Sequence, residues 1–408
     1  MRDRRPDSKE LRKFQNTRLR AIVKHSYNNV PYYHALFKKA KLRPDDVKTI
    51  KDLTKLPIIK KKDLRDVPLT ERVAVNTDIN KCWIKRTSGT TGTPLIIYRE
   101  KKEKLISYLQ QYRWQMECGD KITNRQVLIG ADWGLRNPLS PLGIFKTKDI
   151  SPFKEPKKQI EEIQEFGPKT AIAFPSCVRV LAQEILEEGF HGLKIPLILT
   201  GAEMLDKNTR ELVGRAFEAE VFESYGTTEV GRISTECVKH NGCHILSDLV
   251  LVEVIQDGEI VPTGEEGEII VTNLYKYAMP FLRYNLEDLG MLMEEDCSCD
   301  NPYPLMRITG GRKKDFIQLP NGSIISATPV YTSLNFIQGL RQFQVIQDKP
   351  DRFTVKIVKD SQFTKATCAR VKQVLKERVG NVELDVVIVD NIPREKSGKF
   401  KPFKPMKT

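Results

Sequence analysis

Three short apolar runs in residues 127–200 decide the fold: VLIGA (127–131), TAIAF (170–174) and IPLILT (195–200). Each run has the length and apolar character of a buried strand. Between them, residues Ile160–Phe166 and Val178–Glu188 have the apolar spacing of amphipathic helices. Alternation of strands with helices is typical of α/β layering. We therefore predict an α/β fold class.

The same reasoning extends to both sides of this segment. Helical spacing predicts helices at Asn16–Asn29 and Leu105–Met116, and strand-like runs continue at EVFESYG (220–226), LVLVEVI (249–255) and GEIIVTNL (267–274). After Arg307 the composition changes, and a predicted helix at Lys365–Val379 is followed by the strand VELDVVIVD (382–390). A chain of 408 residues is too long for one compact core. We predict a large layered N-terminal domain, residues 1–310, and a small α+β domain, residues 311–408.

The composition is that of an ordinary globular protein. Hydrophobic residues make up 40% of the sequence. No apolar run reaches the roughly 18 residues of a membrane span, and the basic N-terminus MRDRRPDSKELRKF has no apolar core behind it. The eight cysteines are spread along the chain, which favours reduced thiols or metal ligands over disulfides. These features predict a cytoplasmic protein that does not associate with a membrane.

The formal net charge of +14 raises the question of a partner. A nucleic acid, an acidic protein or a polyanionic ligand would each suit a basic chain. The lysines and arginines are scattered in small groups, however, and no RNA-recognition signature or paired Cys/His finger accompanies them. We interpret most of the charge as solvated surface and do not expect nucleic-acid binding. A homodimer stays an open alternative.

A bare, hydroxyl-rich loop precedes the strand-like residues LIIY: the stretch RTSGTTGTPLIIY (86–98). It is not a Walker A loop, because no lysine follows Gly92. Glycines nevertheless let backbone N–H groups converge on anionic oxygens, and threonine hydroxyls add further donors. The stretch therefore predicts a phosphate clamp of another design.

TSGTTGTP (87–94) resembles the phosphate loop of adenylate-forming (ANL) enzymes, and the superfamily's other motifs follow in order. They are GAEM (201–204), ESYGTTE (223–229), RYNLEDLG (283–290), GRKKD (311–315) and PREKSGK (393–399). The N-terminal segment LRAIVKHSYNNVPYYHALF (19–37) is similar to the start of phenylacetate-CoA ligase-like proteins, including coenzyme F390 synthetase-like and CapK-like members. The resemblance is weakest from Leu128 to Pro168, and Asn285, Leu286 and Glu287 depart from the usual ribose motif.

The resemblance implies the residues that bind ATP and Mg²⁺. Those expected to contact the nucleotide are Thr87, Ser88, Gly89, Thr90, Thr91, Gly92, Gly201, Ala202, Glu203, Ser224, Tyr225, Gly226, Thr227, Asp288 and Arg312. Tyr225 would stack on adenine, and the carboxylate of Asp288 would accept hydrogen bonds from both ribose hydroxyls. Three residues are expected to be catalytic: Thr228 at the α-phosphate, Glu229 as the Mg²⁺ ligand, and Lys399. Lys314 falls at the hinge position, and the resemblance implies that the small C-terminal domain, residues 311–408, is a mobile lid.

Lys399 lies in a cationic tail, whose composition alone is typical of a flexible solvated segment. The resemblance instead implies that its ammonium stabilises negative charge as a carboxylate attacks the α-phosphate. The implied reaction makes an acyl-adenylate from a small-molecule carboxylic acid. An aryl acid is one candidate, although GADWGLRNPLSPLG (130–143) departs from the phenylacetate-type pattern. CoA is the expected acceptor. A carrier protein or an amine stays open as acceptor, and a non-catalytic nucleotide- or nucleic-acid-binding relative is the alternative from another class.

A metal site is the last prediction. Cys237, His240, Cys243 and His244 lie close together in sequence, and Cys297 and Cys299 form a distant Cys-x-Cys pair. Thiolates and an imidazole are the ligands that Zn²⁺ prefers, although small core cysteines would explain the same spacing. Branch members with a Cys-x-Cys pair at this place also carry the pattern EC…GLHI. The resemblance therefore implies a structural Zn²⁺ site of Cys237, His244, Cys297 and Cys299, with His240 or Cys243 as substitute.

Overall fold

The computed structural model describes residues 8–87, 94–130, 137–190, 192–299, 301–310 and 316–406. Two compact units form, and each is built from two stretches of chain. The first unit comprises Met1–Glu117 and Ser224–Thr309, and the second comprises Cys118–Glu223 and Gly310–Thr408. The second unit thus joins the expected C-terminal domain to residues 118–223. The division at residue 310 differs from this grouping and stays a prediction.

The N-terminal stretch of the first unit is mostly helical. Its elements are α1 (Ser8–Asn29), α2 (Pro31–Lys39), α3 (Lys61–Arg65), α4 (Leu69–Arg72), β1 (Trp83–Arg86), β2 (Ile96–Arg99) and α5 (Lys101–Glu117), with 3₁₀ turns at Pro44–Asp46, Ile50–Lys55 and Ile79–Lys81. The predicted apolar face of α1 is buried, since Leu19, Ile22 and Val23 have no exposed surface. Both α1 and α5 begin earlier than the apolar spacing predicted, because their buried faces continue through polar side chains: Gln15 in α1 and Glu103 in α5 are buried.

An antiparallel sheet makes up the rest of the first unit. The chain first passes through β3 (Gln126–Ile129), β4 (Thr147–Ile150), β5 (Thr170–Ala173) and β6 (Leu197–Gly201), which belong to the second unit. The strands of the antiparallel sheet follow as β7 (Glu220–Thr227), β8 (Gly231–Glu236), β9 (Cys243–Ile245), β10 (Val250–Gln256), β11 (Glu259–Ile260), β12 (Gly267–Asn273), β13 (Tyr284–Leu292) and β14 (Leu305–Gly310). Their order is β11-β10-β12-β13-β14-β9-β8-β7. This order brings β8, β9 and β14 side by side, although β14 is distant in sequence.

The three runs that opened the sequence analysis form parallel strands in the second unit. The order β6-β5-β3-β4 pairs Ile129 with Ala173 and Ala173 with Thr200. The helices that alternate with them are α6 (Pro156–Phe166), α7 (Pro175–Glu188) and α8 (Lys207–Phe217). Both α6 and α7 begin with a proline at the first helical position, where the missing N–H costs nothing. The predicted α/β alternation is confirmed.

The C-terminal stretch is an α+β layer within the second unit. Its elements are β15 (Phe316–Gln318), β16 (Ile324–Ser326), α9 (Thr328–Leu334), β17 (Leu340–Lys349), β18 (Arg352–Lys359), α10 (Lys365–Val379), β19 (Glu383–Ile388) and β20 (Phe403–Lys404). The larger sheet has the order β19-β18-β17-β20. The predicted helix at Lys365–Val379 is confirmed at both ends. Arg341 contacts Glu184 at 3.1 Å and Gln183 donates to the carbonyl of Leu340 at 3.1 Å, so α7 packs beside β17.

Candidate nucleotide site and metal centre

A tight turn between β7 and β8 carries the nucleotide motif. Ser224, Tyr225, Gly226 and Thr227 end β7, and Thr228 and Glu229 follow in the turn. A Cβ at Gly226 would lie 2.6 Å from the carbonyl oxygen of Gly231, so a side chain does not fit there. The hydroxyl of Thr227 accepts a hydrogen bond from the N–H of Val230 at 3.3 Å, which closes the turn. The local sequence thus fixes where the next two residues project.

Two buried cations hold the backbone of this turn. The guanidinium of Arg99 donates to the carbonyl of Thr228 at 2.5 Å, and the ammonium of Lys276 donates to the carbonyl of Glu229 at 2.5 Å. Arg99 is 7% exposed and Lys276 is 1% exposed. Burial lowers the pKa of Lys276 well below its usual value, while Glu103 and Glu229 act in the opposite direction. Such desolvated contacts are stronger than their exposed counterparts and order the turn.

Glu103 supports the same region from α5. Its carboxylate accepts hydrogen bonds from the N–H groups of Tyr277 and Ala278, the two residues that follow Lys276, at 2.7 and 2.9 Å. Burial raises the pKa of Glu103, and its backbone hydrogen bonds and Lys276 lower it. The segment that carries the buried lysine is therefore itself held by a buried acid.

The side chain of Glu229 is buried and lies among polar groups. Its Oε1 is 3.3 Å from the ammonium of Lys61 and accepts a hydrogen bond from the hydroxyl of Tyr284 at 3.4 Å. The residue is 4% exposed. A carboxylate oxygen is a hard ligand, as Mg²⁺ requires. Glu229 therefore fits the role of a magnesium ligand.

The adenine and ribose motifs meet in the first unit. The hydroxyl of Tyr225 donates to Oδ2 of Asp288 at 2.6 Å, across 63 positions of sequence. A short hydrogen bond to a carboxylate is among the strong ones. Thr87 lies at the base of the phosphate loop, buried, with its hydroxyl accepting from the N–H of Leu95 at 2.9 Å. Ser88, Gly89, Thr90, Thr91, Gly92, Arg312 and Lys314 lie outside the described residues.

In the second unit, the GAEM segment contacts the loop that carries Lys399. Glu203 accepts hydrogen bonds from the N–H of Ser176 at 3.0 Å and from the N–H of Phe400 at 2.7 Å. Gly201 ends β6, and Ala202 has a φ of +66°, a left-handed conformation that is costly for a residue other than glycine. Phe400 directly follows Lys399. Glu203, one of the residues expected to contact the nucleotide, therefore binds the backbone of the residue next to the expected catalytic lysine.

Arg394 anchors the same loop. Its guanidinium donates to the hydroxyl of Ser176 at 2.6 Å, to the carbonyl of Ser176 at 2.9 Å and to the carbonyl of Gly398 at 3.3 Å. The N–H of Glu395 donates to the carbonyl of Lys399 at 2.9 Å, and Gly398 has a φ of +80°, which closes a turn. Lys399 is half-buried. The loop is therefore an ordered structure, whereas the composition alone is typical of a solvated tail.

The four predicted zinc ligands lie together in the first unit. The ligand atoms of Cys237, His244, Cys297 and Cys299 are all within 4.8 Å of one another. The thiol sulfurs of Cys237 and Cys297 are 3.6 Å apart, and the sulfur of Cys299 is 3.2 Å from Nε2 of His244. Tetrahedral Zn²⁺ with S and N ligands would set these separations at about 3.8 and about 3.6 Å. The donor set and its spacing fit the metal.

The surroundings of this cluster select His244 as the histidine. Its Nδ1 is 2.8 Å from the carbonyl of Tyr303, which leaves Nε2 toward the thiols. A metal-bound histidine characteristically donates its other N–H to such a carbonyl. His240 instead lies 3.2 Å from the carboxylate of Glu236, and neither it nor Cys243 belongs to the cluster. Burial raises the pKa of Cys237 to about 12.

Matches to two family models define the class of the protein. The AMP-binding enzyme family model matches residues 13–275, and the CapK C-terminal domain model matches residues 317–404. The first match covers more than half of the chain, so the chain belongs to the AMP-binding enzyme family, the adenylate-forming superfamily. More particularly, it is an AMP-forming, phenylacetate-CoA ligase-like enzyme with a CapK-type C-terminal domain. The family resemblance read from the motifs is confirmed.

Individual relatives support this placement. The chain is 29% identical to phenylacetate-coenzyme A ligase of Thermus thermophilus over 322 residues, which cover 76% of this chain and 72% of the relative. It is 25% identical to Protein CapK of Staphylococcus aureus, covering 96% of this chain and 88% of the relative. Among solved structures, 2-hydroxyisobutyryl-CoA ligase with R3-HIB-AMP matches with a TM-score of 0.81 at 16% identity, covering 98% of this chain and 90% of that one. At this identity the match shows the fold and confirms the α/β class.

The sequence motifs did not identify several residues that support the site. Arg99 and Glu103 stand in the charged run REKKEK (99–104), and Lys276 is an isolated charge. A single sequence gives no sign that these three residues are buried. Arg394 stands inside the quoted PREKSGK motif and could have been singled out. Lys61 stands in the run KKKD, which we interpreted as solvated surface.

Among the described residues, no helix is both long and apolar enough to cross a membrane.

Proposed function

We propose that this enzyme activates a carboxylic acid with ATP and transfers the acyl group to CoA. The observation that carries the proposal is the hydrogen bond of 2.6 Å between Tyr225 and Asp288. This bond joins the ring that is expected to stack on adenine to the carboxylate that is expected to bind the ribose. Tyr225 lies on β7, the strand that leads into the turn carrying Glu229. Family membership and the names of the relatives, which are CoA ligases, support the same reaction.

The first step forms the acyl-adenylate. A carboxylate oxygen attacks the α-phosphorus of ATP, the bond to the bridging oxygen breaks, and pyrophosphate leaves with the electron pair. Thr228 would contact the α-phosphate, and Lys399 would stabilise the charge that builds up there. In the second step the thiolate sulfur of CoA attacks the acyl carbon, and AMP leaves with the former carboxylate oxygen.

Magnesium has a fitting ligand in this site. Glu229 supplies a buried carboxylate oxygen with a cation and a hydroxyl beside it. When bound, Mg²⁺ would neutralise phosphate charge. Arg99 and Lys276 act on the protein alone: they hold the carbonyls of the turn, so the carboxylate stays where the motif presents it.

The proposal also names the acceptor of the acyl group and the class of acid. CoA is the acceptor that the relatives' names support, and an acidic carrier protein or an amine is the alternative. An aryl acid is the starting hypothesis for the substrate, since the relatives in this branch are named phenylacetate-CoA ligases. A cytoplasmic location also stays a prediction, and the eight free cysteines are compatible with it.

We also propose a structural Zn²⁺ ion held by Cys237, His244, Cys297 and Cys299. Four protein ligands at tetrahedral spacing would leave no open position for a substrate. The ion would tie the end of β8 to β9 and to the segment between β13 and β14. In the sheet, β9 lies between β8 and β14. The nucleotide turn lies at the other end of β8, so the metal would stabilise the sheet that carries it.

A pyrophosphate-release screen tests the proposed function. Purified enzyme receives MgATP and a panel of aryl, hydroxyaryl, amino and short aliphatic acids, each with and without CoA. We expect one class of acid to release pyrophosphate, with multiple turnovers only when CoA is present. Turnover with an amine or a phosphopantetheinylated carrier instead would assign the acceptor differently. Release of pyrophosphate with none of the acids, alone or with any acceptor, would contradict the proposal.

A further inference from the structure

An ammonium lies beside the carboxylate that we assign to magnesium. The Nζ of Lys61 is 3.3 Å from Oε1 of Glu229, and the two side chains are 12% and 6% exposed. Arg99 and Lys276 also reach this turn, but both donate to backbone carbonyls. Lys61 therefore supplies a cation to the functional carboxylate itself.

The backbone before Lys61 is fixed to the strand of the ribose motif. The N–H of Ile59 donates to the carbonyl of Arg283 at 3.0 Å, and the N–H of Asn285 donates to the carbonyl of Ile59 at 2.8 Å. The N–H of Lys60 donates to the carboxylate of Asp63 at 2.8 Å, which caps α3 at its start. Lys61 is the first residue of that helix. Its side chain thus leaves from a backbone that is held on two sides.

The distance to Glu229 brings this ammonium within reach of ATP. Oxygens that share one Mg²⁺ at about 2.0–2.1 Å in an octahedron lie about 3 Å from each other. A phosphate oxygen that shares the ion with Glu229 would therefore lie as close to Oε1 as the ammonium of Lys61 does. An ammonium has three donors, so a contact with Glu229 leaves others for a second anion. Its compact charge on a flexible stem suits a phosphate.

We propose that Lys61 is a phosphate-binding residue of the nucleotide site, which contacts both Glu229 and a phosphate oxygen of ATP. The inference rests on the proposed function, because it assumes that ATP binds at Glu229. The competing explanation is that Lys61 only neutralises a buried carboxylate. The two explanations differ in what Lys61 does once the charge of Glu229 has been removed.

A binding experiment in a Glu229→Gln background separates them. The dissociation constants of ATP and of adenosine are measured by titration calorimetry in buffer with EDTA, for Glu229→Gln and for Lys61→Met/Glu229→Gln. We expect the second change to weaken ATP about tenfold and to leave adenosine unchanged, because one charge-assisted contact to a phosphate is lost. Lys62→Met in the same background is the matched control, since Lys62 is the exposed neighbour on α3. It should leave both constants unchanged.

Equal ATP affinity in the single and double variants would overturn the proposal and leave Lys61 as a partner of Glu229 alone. An equal loss for ATP and adenosine would also overturn it, because the effect would then be on the fold. Lys61→Arg/Glu229→Gln guards against that outcome, since it keeps the charge and should recover most of the ATP affinity. A wild-type protein that binds neither ATP nor adenosine would instead count against the proposed function.

Discussion

Single residues set the chemistry of this site through the loop that carries Lys399. The ammonium of Lys399 belongs to a half-buried residue at the end of a turn closed by Gly398. Phe400, the next residue, is bound to Glu203 through its N–H. A charge that is held in place before the reaction stabilises a transition state without reorganisation, so its removal is costly.

We predict that Lys399→Ala lowers acyl-adenylate formation by about 10²-fold or more. Attack of the thiol on preformed acyl-adenylate should be far less affected, because the new bond in that step forms at the acyl carbon and not at the α-phosphorus. Single-turnover rates of both half-reactions measure the difference. Lys396→Ala is the control, since Lys396 is exposed in the same motif. Equal losses in both half-reactions would show that Lys399 does not have the assigned role.

The motif residues could be predicted from the sequence because their chemistry is local. Gly226 is needed where a Cβ would collide with the chain, and Asp288 keeps its place although its neighbours depart from the usual motif. Arg99 and Lys276 could not be predicted in this way. Their function depends on burial against a turn that is distant in sequence, and burial of a single charge leaves no periodic pattern.

Elements, and the loops between them, determine how these residues are presented. Arg394 joins the Lys399 loop to the first turn of α7 through two hydrogen bonds to Ser176. Sequence periodicity did not predict accurately where the helices α1 and α5 begin. The helix α1 begins at Ser8, eight positions before the predicted Asn16, because its buried face between Leu11 and Leu19 is formed by Gln15, a polar residue that interrupts the apolar spacing. The helix α10 was predicted at both ends because its apolar stripe runs the full length.

We predict that Arg394→Ala slows adenylation by at least about tenfold. The loop would lose its two hydrogen bonds to Ser176, and even one hydrogen bond to a charged group contributes about 1.5–3 kcal/mol, where about 1.4 kcal/mol is a factor of ten. Thioester formation from preformed acyl-adenylate should change less. Ser176→Ala removes only the hydroxyl acceptor and keeps the carbonyl, so its effect on the adenylation rate should be smaller. An unchanged adenylation rate in Arg394→Ala would show that the anchor is not needed for that step.

The zinc site gives a second prediction at the scale of elements. Metal analysis of protein purified without chelator should find about one zinc per chain. Cys297→Ser/Cys299→Ser should abolish zinc binding and lower the melting temperature by roughly 5 °C or more, because the segment between β13 and β14 would lose its tie to β8. Cys368→Ser, on α10, is the control. Wild-type protein without zinc, or a double variant that keeps it, would rule the site out.

At the scale of the whole molecule, the two compact units are not contiguous in sequence. Residues 118–223 group with 310–408, and contacts such as Arg341 with Glu184 hold the two stretches together. A change of composition near residue 310 pointed to a boundary but carried no information on which distant segment the C-terminal stretch would pack against. The fold class, in contrast, followed from the alternation of apolar runs and helices, because layering is a repeated local pattern.

In the proposed reaction a carboxylate oxygen attacks the α-phosphorus of ATP. An isotope label on that oxygen tests this step most directly. The accepted acid is labelled with ¹⁸O in its carboxylate and incubated with the enzyme, MgATP and CoA, and the nucleotide and phosphate products are analysed by mass spectrometry. We expect AMP carrying one ¹⁸O atom for each thioester formed, together with unlabelled pyrophosphate. Label in inorganic phosphate with ADP as the nucleotide product would contradict it, because the acid would then have attacked the γ-phosphorus.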